Sequence, residues 1–118
     1  MKCEKLDVWK MSARLSAEVY KKLVDCKDFG FRDQITRAGL SIPSNIAEGM
    51  EKDSVKERIK FLDIAKGSAA EFITQVYIGT DIGYISKEDG NDWMNRGEQI
   101  LGMLTRLQDN LRSRLHNT

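Results

Sequence analysis

The chain has 118 residues, enough for one hydrophobic core and hardly for two, so residues 1–118 are expected to form a single domain. Hydrophobic residues make up 41% and charged residues 31%, the balance of an ordinary globular protein, and no uncharged apolar run approaches a membrane span. The formal net charge of +1 lacks the basic excess typical of a dedicated nucleic-acid binder. Met1-Lys2-Cys3-Glu4-Lys5 meets charge at once and has no apolar signal region, so a cytoplasmic location is expected.

The first helix is expected from about Lys5 to Cys26, with Val8/Trp9, Ser12/Ala13, Leu15/Ser16, Val19/Tyr20 and Leu23 recurring at helical spacing. Cys3 and Cys26 lie near its two ends, roughly 35 Å apart at the rise of an α-helix, so both read as free thiols. The same separation argues against a metal site, and His116, the only histidine, stands in the C-terminal tail. Asp28-Phe29-Gly30-Phe31 then supplies a turn, with Gly30 as the residue most tolerant of positive φ, before a second helix begins near Arg32.

That second helix carries the only proline. Ile35, Ala38, Ile42 and Ile46 recur every three or four residues straight through Pro43, which predicts one helix kinked at Pro43. The ring would press on the carbonyl of Gly39, the least crowded residue available, and Ser41, Ser44 and Asn45 can serve the freed carbonyls. The alternative is a helix ending near Ser41 and a new one with Pro43 at its first position.

After Gly49 the charged link Met50-Glu51-Lys52-Asp53 leads to Ser54-Val55-Lys56-Glu57, a capping box that starts the third helix. Its apolar residues run all round the helix. Val55, Ile59, Leu62, Ala69, Phe72, Ile73 and Val76 suit one core, whereas Phe61, Ile64, Ile78 and Ile82 point elsewhere and predict self-association through this helix. Gly67, Ser68, Ala69 and Ala70 would allow a close helix approach. Gly83 and Tyr84 close the helix, and Ser86-Lys87-Glu88-Asp89 opens a fourth that runs to about Leu115. There Trp93, Gly97, Ile100, Leu104, Leu107, Leu111 and Leu115 form the clearest stripe in the chain. Short connections between four helices predict an all-α, antiparallel up-down-up-down bundle.

Ser41-Ile42-Pro43-Ser44-Asn45-Ile46-Ala47-Glu48-Gly49 resembles the central motif of the four-helix-bundle family of 23S ribosomal RNA intervening-sequence proteins. Two flanking segments agree, Leu6-Asp7-Val8-Trp9-Lys10 with the family's opening, and Phe61 to Glu71 followed by Ile82-Gly83-Tyr84-Ile85 with its third helix. The resemblance implies a small bacterial protein without catalytic activity, related to the accessory variability determinant of diversity-generating retroelements and, like similar proteins, assembled as a pentameric barrel. It marks Gly39, Pro43, Ser44, Asn45, Glu48 and Gly49 as the structural motif. The chain departs from the family pattern at Ile73, where a further glutamate is usual, and after Gly49, where an arginine is expected.

Motifs for chemistry are absent: there is no phosphate loop, no HExxH, no cysteine pair at zinc spacing and no Glu-x-x-His. No cofactor is expected. Asn45, Glu48, Glu71 and Gln75 are placed to converge between the second and third helices, which reads as a structural polar cluster or, less favoured, as a small hydrolase built on Glu48 and Glu71. Trp9 and Trp93 read as core or interface side chains ahead of stacking platforms for bases.

Charge is uneven. Residues 1–37 carry nine Lys/Arg against six Asp/Glu (+3), residues 38–104 seven against eleven (−4), and residues 105–118 three against one (+2). Lys10, Arg14, Lys21, Lys22, Arg106, Arg112 and Arg114 would share one side if the first and fourth helices are neighbours, a modest patch for RNA or DNA. The favoured reading is a non-enzymatic, homo-oligomeric scaffold in a nucleoprotein setting, whose partners are further copies and a nucleic-acid-bound protein. Direct RNA or DNA binding is the alternative.

Overall fold

The computed structural model describes residues 1–116, the side chain of His116 excepted. A 3-10 turn, Lys2–Lys5, precedes four helices: α1 (Asp7–Lys22), α2 (Phe29–Met50), α3 (Val55–Asp81) and α4 (Lys87–His116). No strand occurs among the described residues. Each helix packs on its neighbours in sequence, and α1 closes the ring against α4 along the least extensive of the four seams. The result is the expected antiparallel bundle, a rod of 51 × 21 × 21 Å.

The core forms where the apolar stripes meet. Leu15 and Val19 of α1, Ile35, Ile42 and Ile46 of α2, Leu62, Phe72 and Val76 of α3, and Trp93, Ile100, Leu104 and Leu111 of α4 are all buried. Each such side chain contributes roughly 1.5–3 kcal/mol of transfer free energy. Cys3, carried in by the 3-10 turn, is buried beside them, and neither it nor Cys26 is in a disulfide. α2 passes unbroken through Pro43, which is itself buried, so the reading of two helices meeting at Ser41 does not hold.

Several boundaries differ from those expected. α1 ends at Lys22 rather than Cys26, although Leu23 stays buried in the turn that follows. α2 begins at Phe29, earlier than the expected Arg32, because the Asp28 carboxylate accepts a hydrogen bond from the Phe31 amide (3.1 Å) and caps the helix there. Gly30 is therefore helical, and among the described residues it is Gly83 (φ 85°) that has a left-handed backbone. Ser54 accepts from the Glu57 amide (3.4 Å), which is the serine half of the expected capping box. Ser86 caps α4 through the Asp89 amide (3.1 Å).

The close helix approaches lie elsewhere than Gly67, which has open space around it. A methyl group on Gly97 would come within 2.6 Å of Ile73 Cγ1, and one on Gly79 within 2.6 Å of the Phe31 ring. Ile73 is thus a packing residue on the α3–α4 seam.

Candidate interaction surfaces

α3 buries one face and leaves another wet. Ile64, Ile78 and Ile82 remain 44%, 47% and 53% exposed, too open for a stripe that belongs to this bundle's own core. Ile78 and Ile82 stand about four and five turns above Ile64, so the three form a single ridge on the outer face. Glu71 lies midway on that ridge and Asp81 beside its upper end, both exposed. Phe61, grouped with the isoleucines from sequence, belongs to a different place: its side chain sits against the Gly49 backbone, with Lys52 Nζ 5.1 Å from its ring centroid. Most of Phe61 is spent on the α2–α3 seam.

The seven candidate cations are exposed but do not gather into one patch. Lys22 pairs with Asp89 (3.5 Å) at the start of α4, and Arg112 pairs with Asp109 (3.4 Å) on its own helix, roughly 35 Å further along the rod. Arg114 lies beyond Arg112, and Arg106 runs back beside Gly102. Lys10, Arg14 and Lys21 do come together. They line an open trough of about 750 Å³ on α1, floored by Ala13 and Ala17 and closed at one end by the half-buried Trp9. None of the three makes an ion pair among the described residues. Arg96 reaches the trough from α4, already held by Glu18 and by Asp92 (3.0 Å). Burial opposes its charge, and the hydrogen bonds to Glu18 and Asp92 more than offset this, raising its pKa above the ordinary arginine value.

Around Pro43 the polar side chains are arranged differently from the expected four-way cluster. Asn45 Nδ2 donates to the Ser41 carbonyl (2.8 Å) and to Ser41 Oγ (2.9 Å), and Ser41 Oγ is hydrogen-bonded to Ser68 Oγ of α3 (2.9 Å). This chain ties the motif to α3. Ser44 and Glu48 are exposed, and Gln75 donates to Glu71 (3.3 Å) on its own helix. Glu48 adjoins Gly49, level with Phe61, while Glu71 adjoins Phe72, level with Gly39. Ten residues of α2 separate those levels, about 15 Å, so Glu48 and Glu71 cannot attack and protonate one bond.

A polar cluster that the sequence reading missed lies between α3 and α4. Gln108 is fully buried; its Nε2 donates to Asp63 Oδ1 (2.6 Å) and to the Ile59 carbonyl (3.1 Å), and its Oε1 accepts from Lys66 Nζ (3.2 Å). The signal was present in the spacing: Gln108 follows Leu104 by four residues and precedes Leu111 by three, an interior register that it shares with Leu107, which packs partly buried against the core. Among the described residues no group of His, Cys, Asp and Glu could hold a metal, and no helix is long and apolar enough to cross a membrane.

The sequence pattern of 23S rRNA-intervening sequence proteins matches residues 4–106. The fold is similar to the crystal structure of a protein with unknown function from the S23 ribosomal protein family of Bacteroides thetaiotaomicron VPI-5482. The two are 28% identical, the match covers 86% of this chain and 97% of that one, and the TM-score is 0.81. No curated protein matches the chain.

Proposed function

The chain belongs to the 23S rRNA-intervening sequence protein family, and we propose that it acts there as a non-enzymatic homo-oligomeric scaffold for a nucleoprotein assembly in the cytoplasm. The observation that carries this reading is the Ile64, Ile78 and Ile82 ridge, three large aliphatic side chains on one face that the bundle leaves about half exposed. Covering each is worth up to roughly 1.5–3 kcal/mol before the cost of association, enough to favour a repeated contact between copies. A closed ring leaves no ridge uncovered, and the resemblance to pentameric relatives makes five the expected subunit number. Direct binding of RNA or DNA through the cations of α1 and α4 is less favoured, because Lys22 and Arg112 are each paired with an aspartate and stand far apart.

Gel filtration coupled to light scattering tests the reading. A mass several times 13.5 kDa is expected at micromolar concentration, with Ile78→Asp or Ile82→Asp releasing soluble, helical monomers. A wild-type mass of a single chain would refute it, and a charge on the ridge that leaves the mass unchanged would move the contact to another helix.

A further inference from the structure

The α3 ridge and the α1 trough are opposite in shape and in charge. The ridge carries Ile64 at one end and Ile78 and Ile82 at the other, with Gly67, Glu71 and Gln75 between them and Asp81 beside its end. The trough is floored by Ala13 and Ala17, two small residues one turn apart, and rimmed by Lys10, Arg14 and Lys21, with Arg96 and Glu18 already paired to each other beside them. Ile78 and Ile82 have the same one-turn spacing as the two alanines, the match that ridges-into-grooves packing requires. Tyr20 and Val24, both exposed, extend the apolar side of the trough past its floor.

Neither face is suited to its own copy. Two ridges related by a two-fold axis would bring the two Glu71 carboxylates together in a contact from which water is excluded, and two troughs would oppose six unpaired cations. Resting on the self-association argued above, we propose that the contact is head to tail: the α3 ridge of one copy seats in the α1 trough of the next, with Glu71 and Asp81 paired to the Lys10, Arg14 and Lys21 rim. Those three cations are unpaired among the described residues, and Glu71 receives only the Gln75 amide, so each side keeps its charge for the partner. Trp9, half-buried at the trough's end, is then covered by the neighbour's helix.

A mixing experiment reads the head-to-tail geometry directly. Ala17→Glu fills the trough and leaves the ridge whole, while Ile78→Asp spoils the ridge and leaves the trough whole. Each chain alone is expected to run as a monomer with its helical signal retained, and an equimolar mixture is expected to give a species of twice the 13.5 kDa chain mass, since one good ridge meets one good trough and nothing further can add. Arg14→Glu and Glu71→Arg should each reduce the assembled mass, and the two together in one chain should restore it. Ala17→Glu or Arg14→Glu retaining the wild-type mass would overturn the head-to-tail contact while leaving self-association standing. Loss of single-stranded RNA retention on filters in Arg14→Glu, with the mass unchanged, would overturn it too and assign the trough to nucleic acid. A monomeric wild type would remove both readings together.

Discussion

Gln108 has no exposed surface and satisfies both ends of its carboxamide, so its replacement tests what a buried polar residue is worth in this core. Gln108→Ala leaves a cavity between α3 and α4 and strips a partner from Asp63 and Lys66; a loss of about 2–4 kcal/mol is expected from urea unfolding. A shift of the midpoint without change in slope would identify the loss as one of native stability. The residue scale is also where the sequence was least legible. Asn45, Glu48, Glu71 and Gln75 attract notice by type and by the motif around Pro43, yet a helix turns its residues outward according to register, and Glu48 and Glu71 face water. Gln108 attracts none by type and is buried by register alone.

One capping side chain marks the start of each of α2, α3 and α4, namely Asp28, Ser54 and Ser86, and the Asp28 cap is why α2 begins three residues before Arg32. Gly30 reads as a turn in sequence, but Asp28 offers an acceptor at the right distance for the Phe31 amide, and a satisfied helix N-terminus outweighs the modest cost of a helical glycine. The other carboxylate oxygen of Asp28 accepts from the Tyr84 hydroxyl (3.0 Å), and the Tyr84 ring meets Phe31 edge-on at 5.3 Å, so the same residue ties the α1–α2 turn to the α3–α4 turn. That hydrogen bond, with the nearby negative charge, raises the Tyr84 pKa above its ordinary value. Asp28→Ala is expected to fray α2 toward Arg32 and to cost about 1 kcal/mol, while Asp28→Asn, which keeps the cap acceptor, should recover most of it. Amide exchange at Phe31 and Arg32 measures the fraying, and equal stability of the two variants would show that the cap contributes nothing.

At the scale of the whole molecule the sequence was most informative. Four periodic segments with short links admit few arrangements, and the up-down-up-down bundle is the one in which every neighbour in sequence is a neighbour in space. What periodicity could not show is the unequal strength of the seams. α2 and α3 are joined by the serine pair and by Phe61 against Gly49, and α3 and α4 by Gln108 and by Ile73 against Gly97. α1 and α4 share a narrower contact held by Arg96 with Glu18 and by Lys22 with Asp89. Arg96 is a quarter exposed, so solvent screens part of its pairing. Arg96→Ala is expected to lower stability by only about 1 kcal/mol, with thermal melts at low and high salt separating its electrostatic share from lost packing.

The weak seam also fixes an order of events. Every other helix contact joins segments adjacent in the chain, where loop closure is cheap, and only α1 against α4 asks the two ends to find each other. The hairpins of α2, α3 and α4 are therefore expected to carry the folding nucleus, with α1 docking on its α4 side after the rate-limiting barrier. Destabilising changes at Glu18 or Arg96 should consequently appear in the unfolding arm of the chevron and leave the refolding arm in place, whereas changes at Phe72 or Ile73 should slow refolding itself. On that order the α1 trough proposed above as the docking surface is expected to be the last part of the chain to be completed and the first to be lost.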